Sequence, residues 1–268
     1  MTAIDITSSA EVLAQARRGA VGLPGYPGAV PTSLADAYAV QAEAIRLWGS
    51  TVAGWKVGRI VGEAAATHGC NRFIGPIFAE TVMAGTTDTL ASFPAIRDGS
   101  AALEAEVVAI IGRDVPAIRR DWTGAEVRSI LSGLHIGIEV AGCPVPDANG
   151  LGPLASIGAF GNNLALILGP AIAEWESVDI DAIACSASID GRTVGDATAA
   201  NLPGGPLTAT AFALNQAAER GIAIPAGTLI STGAITGVHA VRIGQSCVAD
   251  FGPLGVLRCL VAEAAPSS

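Results

Sequence analysis

Lysine is almost missing from this 268-residue chain: fourteen of its 15 basic residues are arginine, and Lys56 stands alone. A sole lysine invites a functional explanation, but a coding bias that replaced dispensable lysines by arginine explains it as well, so composition leaves both readings open. Paired cysteines are missing too. Cys70, Cys143, Cys185, Cys247 and Cys259 are odd in number, widely spaced and never in a C-x-x-C pair. That argues against a disulfide frame or a thiolate zinc site and for small apolar core residues. The longest apolar stretch, 164–173, is broken by Gly169 and Pro170 and falls short of the ~20 residues a membrane helix needs. No basic start, apolar core and small-residue cleavage site opens the chain, so the expected location is the cytoplasm. Positive charge is scarce: 15 Lys+Arg against 24 Asp+Glu give a formal charge of -9, which opposes a phosphate backbone or an anionic bilayer as partner. Also absent are a G-x-x-x-x-G-K-[ST] loop, an H-E-x-x-H helix and a G-x-S-x-G elbow, so nucleotide hydrolysis, zinc proteolysis and α/β-hydrolase chemistry lack their signatures. His68, His135 and His239 lack ligand spacing and read as structural.

Half the residues are hydrophobic, and 33 glycines with 15 prolines are spread along the length, which describes a sizeable core cut by many turns. The pattern predicts an α+β protein: an N-terminal helical region over residues 1–70, packed on a β-rich catalytic domain over 71–268 with a mainly antiparallel sheet. Ser8-x-x-Glu11 reads as a capping box for a helix closed by Gly19, and Ser33 to Trp48 carries apolar residues at helical spacing before Gly49. Further on, apolar runs rich in Val and Ile read as strands over 52–57, 103–111, 135–140, 164–168, 184–189, 228–231, 247–251 and 256–261. Asp190-Gly191 marks a hairpin. Helices are expected from Thr123, with Glu126 in its first turn, and over Pro206 to Arg220.

Three patterns carry possible chemistry. In Leu103-Glu104-Ala105-Glu106-Val107-Val108 strand alternation projects both carboxylates from one face, about 7 Å apart along the backbone. Either the face is solvated or something cationic lies between them, and hard ions such as Mg²⁺ or Mn²⁺ prefer oxygen ligands. In His135-Ile136-Gly137-Ile138-Glu139-Val140 the lone Glu139 is either an edge-strand solubiliser or a third oxygen ligand. In the second case Lys56 would ease the approach of an anionic substrate. The third pattern is the hydroxyl- and glycine-rich loop after Thr228-Leu229-Ile230, with Ser231, Thr232 and Gly233, whose amides can face a carboxylate.

The order of Gly54-Trp55-Lys56-Val57-Gly58, Gly75-Pro76-Ile77-Phe78-Ala79-Glu80, the Glu104/Glu106 strand, Ile138-Glu139-Val140, Pro206-Leu207-Thr208, Ala226 to Ala234 and Asp250-Phe251-Gly252-Pro253-Leu254-Gly255 resembles one group of proteins. This is the 2-keto-4-pentenoate hydratase / 2-oxohex-3-enedioate decarboxylase group of the fumarylacetoacetate hydrolase superfamily. The resemblance implies a Mg²⁺ or Mn²⁺ site on Glu104, Glu106 and Glu139, catalytic roles for Lys56 and Glu80, and substrate binding by Ser231, Thr232, Gly233 and Asn163. It implies a hydratase that adds water to a 2-hydroxy-2,4-dienoate, forms a homo-oligomer and serves aromatic catabolism. The alternatives are decarboxylation of a 2-oxo-3-enedioate and a catalytically silent oxoacid-binding relative. Two departures stand out: the segment 155–163 and Gly205, where the group commonly has histidine. The N-D-x-x-x-R-D segment of the superfamily's C–C hydrolases is absent.

Overall fold

Two helices open the computed structural model, which describes residues 4–267. Helix α1 spans Ile6–Arg18 and helix α2 Leu34–Trp48, and they pack against each other. Asp5, not Ser8, caps α1: its carboxylate accepts the Ser8 amide at 3.0 Å. Ser8 is therefore inside the first turn and its expected box with Glu11 does not form, because the earlier acidic side chain already holds the free amide. Ser33 caps α2 as expected, and Gly49 ends it in the left-handed conformation (φ 80°).

Thirteen strands follow among the described residues: β1 (Val52–Arg59), β2 (Arg72–Phe78), β3 (Val82–Ala84), β4 (Leu90–Ala95), β5 (Ser100–Ile111), β6 (Leu131–Cys143), β7 (Asn163–Ala171), β8 (Ala184–Ile189), β9 (Arg192–Thr198), β10 (Leu229–Ser231), β11 (His239–Ala240), β12 (Ser246–Asp250) and β13 (Val256–Glu263). Between them lie α3 (Gly62–His68), α4 (Gly124–Val127), α5 (Pro153–Gly158) and α6 (Gly205–Glu219). The large sheet runs β2-β1-β10-β5-β6-β7-β3, with β11 also on β5, and the small sheet runs β4-β13-β12-β8-β9. All pairings except β1/β10, β4/β13 and β3/β7 are antiparallel, and the helices lie outside the sheets rather than between successive parallel strands, as an α+β reading requires. β1 sits between β2 and β10, so the first seventy residues give the large sheet one of its inner strands. The β8–β9 hairpin turns at Asp190 and Gly191, both at positive φ (49° and 76°), the geometry a tight two-residue turn needs. No described helix is long and apolar enough to cross a membrane.

The large sheet curls on itself. Ile77, Val108, Leu166 and Leu229 come from β2, β5, β7 and β10, yet form one buried cluster, which a flat sheet could not bring together. On the opposite face Leu103, Ala105, Val107 and Ala109 of β5 join the main core with Cys247, Ala249, Leu257 and Cys259 of the small sheet and the apolar side of α6. Two glycines permit the curl's closest approach. A Cβ on Gly75 of β2 would lie 2.6 Å from the Cα of Gly161, and one on Gly161 2.4 Å from that of Gly75. Phe160, Gly161 and Asn162 all take positive φ (57°, 67° and 55°), a strained turn that delivers Asn162 and Asn163 to the inside of the curl. Gly205 has a local reason as well: its φ is 75°, and a Cβ there would come within 2.0 Å of the Asp181 carboxylate.

Candidate metal centre

Alternation along β5 sends Glu104 and Glu106 to the inside of the curl. Register does the rest: Glu139 of β6 lies directly opposite Glu104, and Gly137 opposite Glu106. One carboxylate oxygen from each of the three glutamates lies within 4.8 Å of the others, and Glu106 and Glu139 are completely buried. Lys56 of β1, register partner of Ser231 on β10, enters from the neighbouring strands and places its ammonium 3.0 Å from Glu139 Oε1 while only 3% exposed. The sole lysine is thus the counter-charge of the acidic trio.

Hydrogen bonds occupy one oxygen of two carboxylates and leave the other free. Glu106 Oε2 accepts the Ser231 hydroxyl at 2.5 Å and the Gly233 amide at 2.8 Å. Glu139 Oε1 accepts the Asn163 side-chain amide at 3.1 Å besides Lys56. Glu106 Oε1, Glu139 Oε2 and Asn163 Oδ1 are buried without a partner, although orphaned buried acceptors are costly. Burial pushes Glu104 up to about 7, opposed by Lys56 and reinforced by Glu139. Burial, then Glu139 and Glu104, hold Glu106 well above the usual carboxylate range. Burial alone would lower Lys56, but the fields of Glu139, Glu104 and Glu106 outweigh it and keep the ammonium above its ordinary value. Three mutually repelling carboxylates with free, inward-facing oxygens fit a divalent ion that favours hard oxygen donors, and poorly fit anything else.

The structure reassigns the remaining candidates. Ser231 and Gly233 hold Glu106, and Asn163 holds Glu139, so the groups expected to bind substrate spend their hydrogen bonds on the carboxylates. Thr232 turns its hydroxyl and its amide to the Val107 carbonyl, at 2.7 and 3.2 Å. Glu80 is not brought to the trio. It follows Phe78, which pairs with Val52 at the far end of β1, four residues and about 13 Å of strand from Lys56. There it is exposed and accepts the Trp48 indole N–H at 2.7 Å. None of the three histidines lines the cavity described next.

That cavity, about 430 Å³, opens from Lys56 and Glu104 past Phe73, Ser156, Asn149 and Asn162 to a rim with Arg59, Val61 and Val238. The unusual segment 155–163 supplies part of its wall and the Asn163 support. Sequence reasoning missed Arg17. This buried guanidinium of α1 donates to the Asn163 carbonyl and, at 3.0 Å, to the Leu164 carbonyl. It lies 4.9 to 5.3 Å from the ring centres of Trp48, Phe78 and Phe160, and burial lowers it to about 10. It fixes the backbone that carries Asn163. A helical arginine gives no local signal of a partner some 146 positions away.

Residues 74–262 match the fumarylacetoacetate (FAA) hydrolase C-terminal family. A 4-oxalocrotonate decarboxylase of Pseudomonas putida is 37% identical over 89 residues, 33% of this chain and 34% of that protein. A protein of the same name from a Pseudomonas species is 38% identical over 79 residues, 30% and 31% of the two chains. The matched stretch therefore spans about a third of these relatives' length. Over 97% of this chain and 98% of the other, the fold is similar to that of 4-oxalocrotonate decarboxylase from Pseudomonas putida G7 complexed with calcium and acetate, at a TM-score of 0.81 and 22% identity. Fumarylpyruvate hydrolase from Pseudomonas aeruginosa, in complex with Mn²⁺ and pyruvate, is similar over 78% of this chain and 88% of its own, with a TM-score of 0.58 and 20% identity. With its family match covering well over half the residues, the chain belongs to the fumarylacetoacetate hydrolase family.

Proposed function

We propose that this protein is a Mg²⁺- or Mn²⁺-dependent lyase of 2-oxo acids, and within that class a decarboxylase of a 2-oxo-3-enedioate of the 4-oxalocrotonate kind. The observation that carries the class is the trio Glu104, Glu106 and Glu139 with Lys56, of which Glu104 and Lys56 line a solvent-connected cavity. What favours decarboxylation over the expected hydration is that both sequence relatives are named 4-oxalocrotonate decarboxylase.

When bound by the trio, a divalent ion supplies a Lewis acid for negative charge developing on the 2-oxo oxygen. The chain's own groups do the rest. In such an enedioate the bond to the distal carboxylate breaks, carbon dioxide leaves, and the electron pair delocalises through the conjugated chain toward the 2-oxo oxygen. In the metal-free site the fields of Glu139, Glu104 and Glu106 hold Lys56 protonated, and its ammonium would add positive charge where the electrons collect. Ser231, Gly233 and Asn163 hold Glu106 and Glu139 in one orientation, so that little reorganisation accompanies the step. Phe73 and Val57 give the cavity an apolar wall that strengthens these interactions.

The test is incubation of the purified protein and Mg²⁺ with a freshly made 2-oxo-3-enedioate, following carbon dioxide and diene absorbance together. Metal-dependent carbon dioxide release without loss of the dienoate product is expected. Water addition to a monocarboxylic dienoate, with no carbon dioxide from the enedioate, returns the hydratase reading. Metal binding with turnover of neither supports a silent oxoacid-binding relative. We also infer a homo-oligomer in the cytoplasm: Leu90 and Leu260, on the paired strands β4 and β13, leave apolar surface exposed. A monomer by light scattering would refute the oligomer.

A further inference from the structure

We propose that Arg59 reads the second carboxylate of the substrate and makes the cavity select dioic over monoic 2-oxo acids. This rests on the reading of the cavity as an oxoacid site, and it names a residue that neither the resemblance nor the trio's geometry had assigned.

Charge balance is the first argument. Three carboxylates, the Lys56 ammonium and a divalent ion together sum to zero, so the closed end of the cavity offers a dianion no net attraction. Lys56 cannot serve twice, because its ammonium is committed to Glu139 at 3.0 Å and is buried. Among the groups lining the cavity, the one other cation is Arg59. The second argument is position. Arg59 is the last residue of β1 and is exposed, three residues and about 10 Å of strand beyond Lys56. It lines the cavity where β1 meets solvent; alternation starts its side chain on the face opposite Lys56, so the long arginine stem has to turn round the strand end to meet the far carboxylate of a short dioic acid held by the trio. The third is availability. Among the described residues Arg59 makes no ion pair and no side-chain hydrogen bond. Its register partner across β1/β2 is another cation, Arg72, whose guanidinium is tied to the Asn71 side chain and the Pro203 carbonyl. Its own burial and then the like charge of Arg59 lower Arg72, so a carboxylate arriving beside the two guanidiniums would relieve their repulsion. A guanidinium fork matches a carboxylate in shape as well as charge.

One consequence separates this role from chemistry. The distal carboxylate loses its charge as carbon dioxide leaves, so Arg59 attracts the ground state more than the transition state. Its removal should raise KM without lowering kcat.

The experiment measures binding of two unreactive probes, 2-oxoadipate and 2-oxohexanoate, to the full Mg²⁺-loaded protein by calorimetry, for wild type, Arg59→Gln and Arg59→Lys. Wild type should prefer the dioic probe by about fivefold at low salt. Arg59→Gln should abolish that preference while moving the monoic probe's affinity by less than about twofold, Arg59→Lys should restore part of it, and salt should erode it. Equal affinities in wild type, or a preference that survives Arg59→Gln, would overturn the assignment. If no carbon dioxide is released from an enedioate but the preference is present and lost in Arg59→Gln, the decarboxylase reading fails and this one stands.

Discussion

The two sheets of this protein bury different things. The large sheet encloses Lys56, Glu104, Glu106, Glu139, Asn163, Ser231 and Thr232, whereas every fully buried side chain of the small sheet is apolar or a thiol. Burial along β8, β12 and β13 alternates between core and solvent, while β5 is buried almost from end to end on both faces. A half-solvated antiparallel sheet needs only one apolar face. A strand buried on both faces that still carries two carboxylates is retained against its own stability, since three close carboxylates with one ammonium are costly to desolvate. Rule-breaking of this kind concentrates at functional sites. On the proposed function the small sheet is scaffold and the inside of the large sheet is the working part.

Lys56→Met tests that division most severely. It leaves Glu139 buried with only Asn163 to satisfy it, a loss of about 3–5 kcal/mol in the metal-free protein. Part of that loss should return on adding Mn²⁺, because the ion replaces the missing positive charge. Thermal melts with and without metal read both effects, and equal destabilisation in the two conditions would contradict the pairing.

Glu106→Gln should act the other way on the metal-free fold: burial, Glu139 and Glu104 oppose ionisation of that carboxyl, a cost an amide does not carry, and the variant should melt higher than wild type. It should also bind metal at least about 100-fold more weakly. At an ion concentration near 100 times its dissociation constant, wild type gains about 2.7 kcal/mol and the variant almost nothing. Asn163→Ala, one step removed, should weaken metal binding by about 10- to 100-fold, and Arg17→Lys by less, each read by calorimetry.

The pH dependence sharpens the contrast from the same side. Glu104 titrates at about 7 in the fold against an ordinary value of 4.5, so between these values the folded metal-free protein holds a proton that the unfolded chain has released. That contribution to stability is complete below pH 4.5 and is lost as pH rises through 7. Ion binding needs the ionised form, so the metal-induced rise in melting temperature should grow over the same interval. A metal-free protein whose stability increases from pH 5 to 8 would contradict the crowding of the trio.

How much of this was legible follows from which interactions are local. Alternation put Glu104 and Glu106 on one face, and an apolar strand around Glu139 marked a third carboxylate, so the trio and its cation could be read before any fold was known. The Asp190-Gly191 turn and the Thr123 capping box, with its Thr123 and Glu126 bonds, are equally local. What could not be read depends on long-range contact. Glu80 lies close to a glycine- and proline-rich strand but at the wrong end of β1. Ser231 and Gly233 face a carboxylate, as their composition suggests, but it is the protein's own Glu106. Arg17 becomes significant only when α1 docks beside β7. The cysteines looked scattered, yet register sets Cys247 of β12 opposite Cys259 of β13.

That thiol pair supplies the mildest test. Cys259 is fully buried on the face of the small sheet that packs toward β5, directly opposite Cys247 in the register of β12 and β13. Cys259→Ala removes one sulfur from a close-packed site and should cost about 1 kcal/mol of stability. It lies in the core shared with the outer face of β5, on the far side of the strand from Glu104 and Glu106, so any influence on the ion must pass through the backbone of β5. If the small sheet is scaffold alone, the variant melts lower but binds metal within about twofold of wild type, as separated sites without common partners do. A tenfold change in metal affinity would show instead that packing between the sheets sets the spacing of the carboxylates, and the division between scaffold and working part would have to be drawn through β5 itself.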